Sequence, residues 1–130
     1  MNQYTQVIQD IRKKTENNLL NWNHVPIKEY ERFIVNVHRV VFAFSANYKL
    51  GDKEYRLLFL EKKWEDMDDF SFPDNGIEYE LFVLDDEDIV VSFVEGVVDP
   101  AELIRLSGAV KEKNAKSKAF FKSFLERESA

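Results

Sequence analysis

At 130 residues, the chain is the length of one domain, and its 45% hydrophobic content with eleven Phe, five Tyr and two Trp is enough for a sizeable core. The absence of cysteine removes disulfides, thiolate metal sites and cysteine nucleophiles together, and no apolar run reaches the roughly 18 residues of a membrane span. The net charge of −6 hides a pattern: residues 1–60 carry +3, residues 61–102 carry −13 and residues 103–130 carry +4. Either basic helices neutralise an acidic sheet within the fold, or the acidic middle is presented to a basic partner.

The opening stretch MNQYTQVIQDIRKK is polar and amphipathic, without the apolar centre of a secretory signal. Tyr4, Val7, Ile8 and Ile11 recur at i, i+3, i+4 and i+7, which predicts a helix fading near Glu16-Asn17-Asn18. Leu19, Leu20 and Trp22 form an apolar cluster after it. Residues 26–37 fit helical spacing through Ile27, Tyr30, Phe33, Ile34 and Val37. They fit a strand through Phe33, Val35 and Val37, so a short helix passing into extended chain is expected.

Period-two alternation starts at Arg39. Val40, Phe42, Phe44, Ala46 and Tyr48 make a large-residue face, and Gly51-Asp52 marks a tight turn. The return strand places Tyr55, Leu57 and Phe59 opposite Arg56, Leu58 and Leu60. A third strand follows at Ile77, Tyr79, Leu81 and Val83. Asp85 to Asp88 turn the chain into a fourth, with Ile89, Val91 and Phe93. Consecutive strands with short joins predict an antiparallel meander. Asp99, Pro100 and Glu102 read as N-cap, first helical residue and capping-box partner of a final helix. Leu103, Leu106, Val110, Ser117, Phe120, Phe121, Phe124 and Leu125 supply its expected core stripe, with a bend or break near Lys113-Asn114.

Sites for chemistry are sparse. Only His24 and His38 exist, and both read as ordinary surface or partly buried histidines; no Ser sits in a G-x-S-x-G elbow. Two His without Cys do not make a zinc site, and no glycine-rich phosphate cradle is written in the chain. The stretch DMDDFSFPDNG suggests calcium, but Phe70 and Ser71 fall where an EF-hand loop needs a ligand and a glycine. Lys111, Lys113, Lys116, Lys118 and Lys122 read as a solvated helix face rather than a nucleic-acid site. The reverse role, an acidic mimic of nucleic-acid phosphate, is a minor alternative.

Thr15 to Trp22 (TENNLLNW), the strand segment Ala46-Asn47-Tyr48 and the later ELIRL together resemble a broad group of small uncharacterised bacterial and phage-borne proteins. Those proteins are built as helix, four-stranded meander and helix, and many belong to mobile or defence-related elements. The resemblance implies a cytoplasmic interaction protein rather than an enzyme. The chain is also similar to type III secretion chaperones. It departs from them where they place a helix between the third and fourth strands, because only Asp85 to Asp88 intervene here.

The segment Glu65 to Gly76 is long for a hairpin connection, and it sets aromatics among carboxylates. One side is expected either to pack over the sheet edge or to dock a partner. Trp64, Asp66, Asp68, Asp69, Phe70 and Phe72 are the candidate partner-binding residues. Residues 1–130 are thus expected to form a single α+β domain, an antiparallel four-stranded sheet with the terminal helices packed on one face. The expected function is non-catalytic protein binding in the cytoplasm, of an immunity, inhibitor or adaptor kind, with no cofactor, metal or membrane. The apolar back of the sheet (Leu58, Leu60, Phe82 and Leu84) offers a homodimer surface. A small-ligand module or enzyme with a pocket between sheet and helices is the alternative.

Overall fold

The computed structural model describes residues 2–34, 37–65, 75–94 and 96–129. Helix α1 (Gln3–Glu16) starts where the Asn2 side chain accepts the Thr5 N–H at 2.8 Å. It stops at Asn17, and Asn18 follows in the left-handed region at φ 61°, a conformation asparagine tolerates better than most residues. A two-residue strand β1 (Asn23–His24) leads to the short helix α2 (Ile27–Tyr30). Two 3₁₀ turns, Glu31–Phe33 and Val37–Arg39, precede the sheet strands β2 (Val40–Leu50), β3 (Lys53–Glu65), β4 (Asn75–Asp85) and β5 (Asp88–Phe93). Helices α3 (Pro100–Lys113) and α4 (Ala115–Ser129) close the chain.

The sheet is antiparallel throughout in the order β1-β2-β3-β4-β5. It therefore has five strands, not the expected four. The extra strand pairs Asn23 with Ser45 and His24 with Phe44 at the sheet edge. Two polar residues carry no period-two signal, so only their hydrogen bonding to β2 makes them a strand. The β3–β4 hairpin also reaches further than expected, since Trp64 pairs with Gly76 and Glu65 with Asn75. Asn75-Gly76 belongs to the strand rather than to the turn.

One face of the sheet carries the main core. Phe44, Ala46, Tyr48, Leu57, Phe59, Leu81, Val83 and Phe93 pack under Ile8 and Ile11 of α1 and Leu103, Leu106 and Val110 of α3. The alternation of β2 breaks at a bulge between Val40 and Phe42. The extra residue sends Val40 to the opposite face, although simple alternation puts it beside Phe42.

The back of the sheet is covered by the chain itself. Leu58, Leu60, Phe82 and Leu84 are buried under Val25 and Tyr30, with Phe33, Ile34, Val37 and Val40 packed around them. The surface expected to offer a homodimer interface is thus already filled by the segment joining β1 to β2. Apolar spacing in residues 26–37 that fits both a helix and a strand is resolved by this role, with Tyr30, Phe33, Ile34 and Val37 covering the sheet from a short helix and the turns after it.

Buried polar groups tie the layers together. Trp22 is fully buried, and its indole Nε1 donates to Thr15 Oγ1 at 3.0 Å, while Thr15 donates to the Ile11 carbonyl at 2.8 Å. Lys111 of α3 reaches the buried carboxylate of Glu61 at 2.7 Å, so part of the acidic stretch is neutralised by a basic helix. Asp99 caps α3 by accepting the Ala101 N–H, with Pro100 next, as the sequence indicates. The other half of the capping box is not formed. Glu102 instead accepts from Gln9 of α1 at 3.3 Å and pairs with Arg105 at 3.1 Å.

Candidate functional site

The final helix departs most from expectation. Asn114 is extended, at φ −68° and ψ 162°, between α3 and α4. Its Nδ2 donates to the Val110 and Lys111 carbonyls at 3.1 and 2.9 Å, closing α3. Its Oδ1 accepts the Ser117 N–H at 3.1 Å, opening α4. One side chain thus ends one helix and starts the next, because a short amide competes well for backbone groups at helix ends.

That single extended residue resets the helical phase. Leu103, Leu106 and Val110 are fully buried, whereas Phe120 is 66% exposed, Phe121 53%, Phe124 50% and Leu125 63%. The expectation that Phe120 and Phe124 continue the core stripe is therefore wrong. From Ala115 to Arg127, α4 has no buried side chain. It is fixed at its start, where the Ala115 N–H donates to the Trp22 carbonyl at 2.9 Å. Phe121, Leu125, Lys118, Lys122 and Glu126 of α4 line a groove of about 780 Å³ together with Asn18 and Glu112.

Two other concavities lie elsewhere. Beside β1 a polar pocket of about 510 Å³ gathers His24, Glu29, Ser45, Asn47 and Arg56. Arg56 Nε donates to Ser45 Oγ at 2.8 Å, and its Nη2 lies 3.7 Å from Glu29. Burial and the nearby charge of Lys116 hold the His24 imidazole below its ordinary pKa. Between α1 and the sheet an apolar cleft of about 320 Å³ is lined by Tyr4, Val7, Tyr48, Tyr55, Val83 and Phe93. At its edge the Tyr48 hydroxyl donates to Asp10 at 2.5 Å, and Lys14 lies 3.1 Å from the same carboxylate. Burial and the Asp10 contact push the Tyr48 phenol well above its usual pKa. Burial alone would raise the Asp10 carboxyl, but Tyr48 and Lys14 together hold it below its usual range.

Of the residues singled out from the acidic segment, Trp64 has its backbone in β3 opposite Gly76. Its side chain, and Asp66, Asp68, Asp69, Phe70 and Phe72, lie outside the described residues. Among the described residues no group of three or more His, Cys, Asp or Glu is placed to hold a metal ion. None of the described helices is long and apolar enough to cross a membrane. The spacing of the aromatic stripe of α4 predicts core, whereas the structure exposes it. The signal for a surface role was present, because cations stand on both sides of the stripe and Asn114 interrupts the helix before it.

Comparison with protein-family models, with curated proteins and with solved structures found no match.

Proposed function

We propose that this protein is a non-catalytic protein-binding module of the immunity, inhibitor or adaptor kind. One observation carries the proposal: α4 holds Phe120, Phe121 and Phe124 at half exposure or more on a helix whose start is hydrogen-bonded to the Trp22 carbonyl. Aromatic side chains in that state gain most when a partner removes them from water. The acidic stretch 61–102, with Trp64, Asp66, Asp68, Asp69, Phe70 and Phe72, supplies a second docking surface, suited to a basic partner.

Retention of cellular proteins on the immobilised chain tests this with two variants. One is Phe120→Ser with Phe124→Ser; the other is Asp66→Asn, Asp68→Asn and Asp69→Asn together. A protein held by the native chain and released by either variant is the expected result. Retention that ignores both sets of changes refutes both surfaces.

The apolar cleft under α1 favours one alternative, a small apolar ligand held between helix and sheet. A thermal-shift screen with small apolar compounds tests it. Val7→Trp, which fills the cleft, should abolish any shift that is found.

A further inference from the structure

The charges around the α4 stripe say what kind of partner fits it. At 100° per residue, Phe120, Phe121, Phe124 and Leu125 span about 140° of the helix circumference. Lys116 and Arg127 flank one edge, and Lys118 and Lys122 the other, each within about 60° of it. Of the two carboxylates of α4, Glu126 lies 4.0 Å from Lys122 and Glu128 falls at the C-terminal end of the band. Four cations against two carboxylates leave the band between rims that are net basic, complementary to an apolar band between acidic rims. Resting on the protein-binding proposal above, we infer that α4 and its groove receive an acidic amphipathic helix from another protein.

Two other occupants fit worse. Pairing two copies through α4 brings together two helices that each carry four cations and two carboxylates. A flat lipid surface does not reach into the groove, which Asn18 and Glu112 line together with Phe121 and Leu125. A peptide helix can seat large side chains in the groove while its carboxylates meet the lysines at the rim.

The probe is a pair of fluorescein-labelled synthetic helices of about 20 residues, with identical leucine stripes and either Glu or Lys flanks. Anisotropy titrations of the full chain should show the Glu-flanked helix binding at least about tenfold more tightly, with affinity falling as salt rises. Phe121→Ser with Phe124→Ser should weaken it by at least about tenfold without moving the unfolding midpoint. Lys118→Glu with Lys122→Glu, confined to the surface, should reverse the preference between the two probes.

Equal binding of both probes, or binding indifferent to both variants, overturns the inference. So does a dimer in sedimentation equilibrium that Phe121→Ser with Phe124→Ser abolishes, which identifies a second copy as the occupant. Adsorption to phosphatidylglycerol vesicles, lost in the same variant and without peptide binding, overturns it in favour of lipid. If α4 binds neither probe while Asp66→Asn, Asp68→Asn and Asp69→Asn still release a retained protein, this inference fails and the protein-binding proposal stands.

Discussion

Removing residues 115–130 deletes the whole of α4 and leaves Asn114 to close α3. The truncation takes no buried side chain with it between Ala115 and Arg127. Among the bonds that leave are the Ala115 N–H to the Trp22 carbonyl at 2.9 Å and the Ser117 hydroxyl to the Lys111 carbonyl at 2.8 Å. At about 0.5–1.5 kcal/mol for each net hydrogen bond, these two account for about 1–3 kcal/mol. Leu106→Ala in α3 removes a fully buried side chain and should cost about 2.7–5 kcal/mol. Urea unfolding of the native chain, the truncation and Leu106→Ala places the three on one scale. The truncated protein should still unfold cooperatively and lie nearer the native chain. Removing residues 100–130 takes Leu103, Leu106 and Val110 as well and should give an aggregating or molten product. If the truncation at 115 costs as much as Leu106→Ala, or loses cooperativity, α4 packs on the core and the exposed-stripe argument falls.

Thr15→Val keeps the shape of a buried side chain but strands the Trp22 indole N–H, so calorimetry should show a loss of about 1–3 kcal/mol. Lys111→Met leaves the Glu61 carboxylate buried without its cation and should cost a similar amount, about 1–3 kcal/mol. Adding Glu61→Gln to that variant should recover part of the loss in urea titrations. Because the folded pKa of Asp10 lies below its ordinary value of 3.8, the carboxylate stabilises the fold above that value, and the contribution fades as pH falls through the lower folded pKa. Asp10→Asn should therefore flatten the acid limb of a stability–pH profile below about pH 4 and make no difference to its slope near neutrality.

Much of the architecture follows from local pattern. Alternation in β2 to β5 is legible because successive side chains of a strand point to opposite faces, with breaks at the register shifts of the β2–β3 and β4–β5 pairs. The α1 stripe ends where two asparagines favour a turn. Asp99 and Pro100 start α3 by chemistry that acts within one turn, so no tertiary information is needed to place that boundary. The acidic segment reads as a connection from Glu65 to Gly76, but Glu65, Asn75 and Gly76 pair within the β3–β4 hairpin, because strand pairing continues past the last apolar alternation.

Other features needed the assembled molecule. β1 is a strand only because Asn23 and His24 hydrogen-bond to β2, which two polar residues cannot announce. Val25, Tyr30, Phe33, Ile34, Val37 and Val40 gained meaning only once the back of the sheet stood ready for them to cover. The α4 stripe shows the limit most clearly. Periodicity records which residues share a helix face but not what that face meets. A hydrogen-bonded break at Asn114 was enough to turn Phe120 and Phe124 from expected core into surface. Sequence by itself determined α1, the start of α3 and the alternating faces of β2 to β5, because those depend on neighbours a few residues apart. Which stripes find a partner within the chain was decided by the tertiary structure alone, since burial depends on surfaces that meet only after folding.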